Sequence, residues 1–286
     1  MTESERPPGR MDPTVPTVAR MYDYFLGGKD NFPADREAAE KVLELSKQGG
    51  ANVREAARAN RDFLVRAVET VARAGVRQFL DIGTGLPTQD NVHQVAHRII
   101  PDAKVVYSDN DPIVLVHARA LLADNPETVI IDGDAHDPKG LLAAAAHHLD
   151  FSQPVAVLVV ALFHYFDSDD EVADIVQALR EPLVPGSHLI ISHAYVERGQ
   201  SAPGRRSQTL DVYRRTTSGL LHLRDYDVVR TYFDGLELLE PGLVPVQDWR
   251  NDDPFLIPGL EKGGILGGVG RVPEAGRVPE PDRGQP

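Results

Sequence analysis

The chain has 286 residues, 42% of them hydrophobic and 26% charged, with 43 acidic against 30 basic side chains and a net charge of −13. That balance suits a globular protein with a sizeable core, and so acidic a surface repels phosphate backbones, which argues against free DNA or RNA as the partner. There is no cysteine, so disulfides, thiolate metal sites and cysteine nucleophiles are excluded. The longest apolar run, residues 155–163, falls far short of the ~20 residues that span a bilayer, and the first ten residues hold no signal-peptide apolar stretch. The expectation is a cytoplasmic protein with no membrane partner.

Residues 1–12 are polar and carry Pro7-Pro8-Gly9, and the tail 271–286 is proline-rich and repeats GRVPE; both ends are expected to be disordered. Residues 13–75 predict an N-terminal helical cap. Val18, Met21, Tyr22, Phe25 and Leu26 recur at helical spacing before Gly27-Gly28, and further helices follow over 33–48 and 52–74. From 76 to 270 the pattern becomes that of one α/β domain. Strands are predicted at 77–82, 104–108, 128–132, 155–161 and 187–194, alternating with helices at 88–100, 113–123, 138–147 and 169–179. Such a βαβ series implies a parallel sheet covered on both faces. A polar loop at 199–206, helices at 207–217 and 225–233 and strands at 237–239 and 262–269 complete it.

The strongest local signal is FLDIGTGLPTQ, residues 79–89. It places Gly83 and Gly85 between a strand and a helix, at the carboxyl edge where open α/β sheets bind ligands. As a dinucleotide fingerprint it is poor, because Thr88 stands where a third glycine belongs. The second strand ends in VVYSDNDP. Asp109 there can accept from ribose hydroxyls, and Asp111 suits a helix N-cap. The third strand ends in IDGDAHDP, where Asp134 can accept from an adenine amino group and Asp137 reads as another cap.

DIGTG, YSDND and DGDA, each ending a successive strand, resemble the first three motifs of class I S-adenosylmethionine (SAM)-dependent methyltransferases. With PTVARMYDYFLGGKDNF, ARANRDFLVRAV and GGVGR, the chain is similar over residues 13–271 to a bacterial, actinobacterial-type family of SAM-dependent methyltransferases whose substrates are largely unassigned. The resemblance implies a Rossmann-like sheet of seven strands, the last antiparallel. It implies SAM as cofactor and S-adenosylhomocysteine (SAH) as product. Asp81, Gly83 and Gly85 would cradle the amino-acid half, Asp109 would hold the ribose, and Asp134 with the Ala135 amide would read the adenine; Thr84 and Asn110 are assigned to the cofactor with them. The glycines of GGVGR would relax a sheet edge or form a hairpin.

Methyl transfer from a sulfonium needs alignment, exclusion of water and, where the acceptor carries a proton, a base. The acceptor would lie beyond the fourth strand, at VALFHYFDSDD, which lacks the Asn/Asp-Pro-Pro-Tyr signature used on planar amino groups. His164 is the candidate base, with a packing role as its alternative, and His193 after the fifth strand is a second candidate. Tyr22, Tyr24, Lys29, Asp30 and Asn31 crowd around the Gly-Gly bend, as a lid over a cationic ligand or as an ordinary helix cap; Tyr22 is assigned to the cofactor and the rest to the substrate pocket. Arg61 would clamp the SAM carboxylate or make a surface ion pair. His136 reads as a surface residue, and no metal site is expected. The reading is methyl transfer to an oxygen or nitrogen of a small molecule. Its alternatives are a non-catalytic SAM or SAH binder and a dinucleotide-dependent oxidoreductase.

Overall fold

The computed structural model describes residues 12–48, 51–87, 90–122, 125–195, 211–216, 221–252 and 264–274. Residues 1–11 and 275–286 of the expected disordered ends, Thr88 and the polar loop 199–206 lie outside them.

Three helices precede the sheet: α1 Val18–Leu26, α2 Pro33–Gln48 and α3 Val53–Arg73. The Thr17 side chain caps α1 by accepting from the Arg20 amide, and Gly27 ends it at φ 85°, where a side chain would be strained. A buried ion pair, Arg20 Nε to Asp35 Oδ2 at 2.8 Å, fixes α1 on the start of α2. Asp35 also accepts from the backbone amides of Thr17 and Phe32, so this buried carboxylate is fully partnered. Met21 and Phe25 of α1 pack on Ala57 of α3, whereas Phe63, Leu64, Ala67, Val68 and Val71 bury the rest of α3 against the sheet. Helix α3 therefore serves both the cap and the layer that covers the sheet.

The strands are β1 Gln78–Ile82, β2 Lys104–Asp109, β3 Thr128–Asp132, β4 Ala156–Val160, β5 His188–Tyr195, β6 Glu237–Leu238, β7 Val244–Pro245 and β8 Gly264–Arg271. They form one sheet of order β3-β2-β1-β4-β5-β8-β6. Strands β1 to β5 are parallel and β8 is antiparallel to β5, as the seven-stranded expectation has it. The eighth strand, β7, pairs β8 outside that path; at two residues it is too short for any alternation to announce it. Burial alternates as both faces demand: Val157 and Val159 of β4 face one core, and Ala156 and Leu158 face the other. The GGVGR glycines are interior, not an edge or a hairpin. A Cβ on Gly267 would stand 2.8 Å from Phe63 and Val246, so glycine lets α3 close on β8. Trp249 lies edge-on to the same Phe63, ring centres 5.4 Å apart.

The connecting helices are α4 Val92–His97, α5 Pro112–Leu122, α6 Pro138–Ala145, α7 Asp169–Arg180 and α8 Tyr226–Thr231. Helix α4 is shorter than the expected 88–100, because Asp90 adopts φ 57° and Asn91 is extended. The Gln94 side chain then accepts from the Asn91 amide at 2.8 Å, which starts the helix at Val92. Of the helix expected at 207–217, residues 211–216 are described, and 211–213 are helical. The order reverses at β1, with β2 on one side and β4 on the other, so the loops after β1 and β4 part and leave a crevice over their carboxyl ends.

Candidate active site

A cavity of about 660 Å³ fills that crevice, with α1 and α3 on its far wall. The structure brings ten of the sequence-predicted residues to its lining: Asp81, Gly83, Thr84 and Gly85 after β1, Asp109 and Asn110 after β2, Asp134 and Ala135 after β3, Tyr22 from α1 and Arg61 from α3. Asp81 is buried and accepts from the Thr84 hydroxyl at 3.2 Å. Asp109 is buried and accepts from the Gly85 and Asp111 amides, each at 2.9 Å. Burial pushes both carboxyls up to about 6. Arg61 donates to the Asp90 carbonyl and the Asn91 side chain, each at 3.1 Å, which holds its guanidinium at the end of the glycine loop.

Six other predicted residues are not on that lining. Tyr24 bonds Glu40, and the Arg54 guanidinium lies 4.7 Å from its ring centre. Asn31 donates to Asp23 Oδ2 at 2.7 Å, and the Asp30 amide donates to the same oxygen. Lys29 is exposed. The crowding around the Gly-Gly bend thus serves the bend: Asp23 gathers it, and a Cβ on Gly28 would collide with the Asp23 carboxylate. His193 is fully buried on β5, donates from Nδ1 to the Ala194 carbonyl and is pushed down to about 3 by burial. His164 is buried behind the wall, accepts at Nδ1 from the Ala194 amide at 3.4 Å and is held well below the usual histidine range by burial.

The sequence reading gave no role to several residues that the structure sets on the wall. Asn60 is 1% exposed; its Nδ2 donates to the Tyr22 hydroxyl at 3.0 Å, and its Oδ1 has no partner. Tyr22 passes the chain on to the Ala57 carbonyl. Asn60 and Tyr22 are 38 positions apart, so no local pattern joins them. His136 lines the mouth, donates from Nδ1 to Glu171 at 2.7 Å and lies 4.2 Å from the Phe166 ring. Ala161, just beyond β4, holds a φ of 56°, a conformation its sequence does not signal. Among the described residues no cluster of ligating side chains could hold a metal ion.

Residues 4–273 match the family model of the S-adenosyl methyltransferases. The chain belongs to the S-adenosyl methyltransferase family. Two actinobacterial crystal structures are similar to it. A Thermobifida fusca protein provisionally assigned as a methyltransferase shares 39% identity over 95% of this chain and 100% of its own, with a TM-score of 0.83. A DUF574 family protein of Streptomyces avermitilis shares 39% identity over 92% and 100%, with a TM-score of 0.82. No curated protein matches the chain. The family makes this chain an SAM-dependent methyltransferase, not a dinucleotide-dependent oxidoreductase.

The cavity fits that cofactor chemically. SAM carries an ammonium and a sulfonium, and the wall offers two buried carboxyls and the unpartnered acceptor Asn60 Oδ1. No atom lies within 4 Å of where a Cβ on Gly85 would stand, so the glycine loop leaves open room for a ligand to approach its backbone.

Proposed function

We propose that this cavity holds SAM and that the chain methylates an oxygen or nitrogen of a small-molecule acceptor, in the cytoplasm and without nucleic acid. The unpartnered Asn60 Oδ1 carries the reading: a buried acceptor without a donor is unfavourable, and a ligand ammonium satisfies it. Asn60 and Asp81 would hold that ammonium, Arg61 the carboxylate, Asp109 with Asn110 the ribose hydroxyls, and Asp134 with the Ala135 amide the adenine. Bound SAM supplies a methyl group already activated on sulfur. The chain's own residues orient, exclude water and receive the acceptor's proton. His136 suits the last task better than His164, because it lines the cavity, held there by Glu171, whereas His164 lies behind the wall. The acidic wall and the net charge of −13 support an acceptor other than nucleic acid.

The test is calorimetric titration with SAM, SAH and NADH. SAM and SAH are expected to bind at about micromolar Kd, NADH not at all, and Asp109→Ala to abolish both interactions. Unchanged binding by Asp109→Ala would remove the ribose assignment.

A further inference from the structure

Arg224 lies off the cavity wall, in the segment that runs beside the turn Phe163–Tyr165, yet its side chain is 1% exposed. Its guanidinium uses three nitrogens on four partners. Nη1 donates to the Phe163 carbonyl at 2.9 Å and to His193 Nε2 at 3.1 Å, Nη2 to the Phe166 carbonyl at 3.0 Å, and Nε to Asp169 at 2.6 Å. His193 can accept because its proton sits on Nδ1, which donates to the Ala194 carbonyl. The neighbouring His222 amide donates to the His164 carbonyl at 2.6 Å, so the segment is bonded along the whole turn.

What this turn carries is the β4 side of the cavity. Ala161, Leu162, Tyr165 and Phe166 all line it. Leu162 leans on the glycine loop so closely that a Cβ on Gly83 would lie 2.8 Å from its methyl groups. Phe166 stacks under His136. Ala161 is in a left-handed conformation, which persists only where neighbours over-determine it. Ser192 of β5 holds the Ala161 amide on one side, its hydroxyl accepting at 2.9 Å. On the other, one rigid planar cation bonds both ends of the short turn that follows, at the Phe163 and Phe166 carbonyls, while it is itself anchored on His193 and Asp169, and an ammonium could not span these partners.

We propose that Arg224 is a positioning residue for the cofactor: by fixing the carbonyls of Phe163 and Phe166 it sets Leu162 and Phe166 against the glycine loop. The proposal rests on SAM occupying this cavity. It also answers why His193 and His164 are buried and neutral: they are parts of the mount on which the wall is hung.

The experiment compares Arg224→Lys with Arg66→Lys by SAH calorimetry and by thermal unfolding, with binding measured well below each Tm. Arg66 is a matched control: it donates to the Trp249 and Val246 carbonyls at 2.8 and 2.7 Å and does not line the cavity. Both variants are expected to lower Tm. Arg224→Lys is expected to weaken SAH binding on the order of tenfold, and Arg66→Lys to stay within about twofold of the wild type. Equal loss in both variants, or wild-type affinity in Arg224→Lys, overturns the proposal. Wild-type protein that ignores SAH overturns the cofactor placement itself. Should Arg224→Lys not fold, Asp169→Asn at the half-exposed counter-ion carries the test, with SAH binding weaker by about threefold expected and an unchanged Kd overturning it.

Discussion

Asp81 and Asp109 stand over the strand-order switch with their carboxyls raised to about 6, in each case chiefly by burial. Asp81, placed against the ammonium, has to be ionised to hold it, so the proton it sheds weakens binding by roughly tenfold per pH unit below 6. SAM affinity is therefore expected to fall between pH 7 and 5, with protons released on binding near pH 5.5. Calorimetry in two buffers of different ionisation enthalpy measures both, and a pH-independent Kd would exclude Asp81 as a partner of the cation. These residues were legible because a parallel sheet gathers its strand ends on one side, so motifs 24 to 50 positions apart in the chain converge without further information. His164 was harder: a histidine next to a strand end reads alike whether it points into the crevice or behind it, and the turn Phe163–Tyr165 puts it behind. Asn60 needed a partner from another helix to become visible.

At the scale of elements, strands β1 to β5 fall within one residue of their sequence-derived ends, since a strand buried on both faces reads as a short apolar run with sharp limits. Helix starts were less legible, as at α4, where a left-handed Asp90 delays the first turn. The glycines of β8 misled for another reason: their function is the space they leave for Phe63, Val246 and Leu236, which come from distant parts of the chain. At Gly267 the neighbouring Phe63 and Val246 are buried and cannot retreat. Gly267→Ala is expected to destabilise the fold by about 2 kcal/mol, read as a lower urea midpoint. Because the contact lies away from the cavity lining, SAH affinity of the folded variant should hold.

Across the whole molecule, two sets of buried groups oppose one another as pH falls. His93 and His188 are pushed down to about 4 and His193 to about 3, with desolvation the largest cause in each. Each is neutral when folded but charges near 6.5 when unfolded, so stability present above 6.5 is lost as pH drops towards its folded value. Asp81 and Asp109 act the other way: raised above their unfolded value, they add stability in acid that disappears as pH rises through 6. His164, held well below the usual range by burial, joins the histidines, and Asp23, raised chiefly by burial, joins the carboxyls; four histidines against three carboxyls leave a net loss, so Tm of the free protein should fall from pH 7 to 5. With SAM bound Asp81 stays ionised and its share of the compensation vanishes, so the complex should lose Tm more steeply over the same range. Scanning calorimetry at the two pH values, with and without SAM, tests this; parallel curves would mean that binding leaves Asp81 untouched.

Trp249 is the chain's single tryptophan, fully buried against Phe63 and off the cavity lining. Its emission therefore reports on one place, the seam between α3 and β8, and an adenine ring in the cavity is not stacked on it. Unfolding and ligand uptake can thus be followed as separate signals in one unlabelled sample: indole fluorescence for the seam, and the heat of binding for the crevice. A fluorescent analogue of SAH could be excited beyond the indole band without disturbing the first signal, so the natural sequence already serves as a two-channel sensor of fold and occupancy.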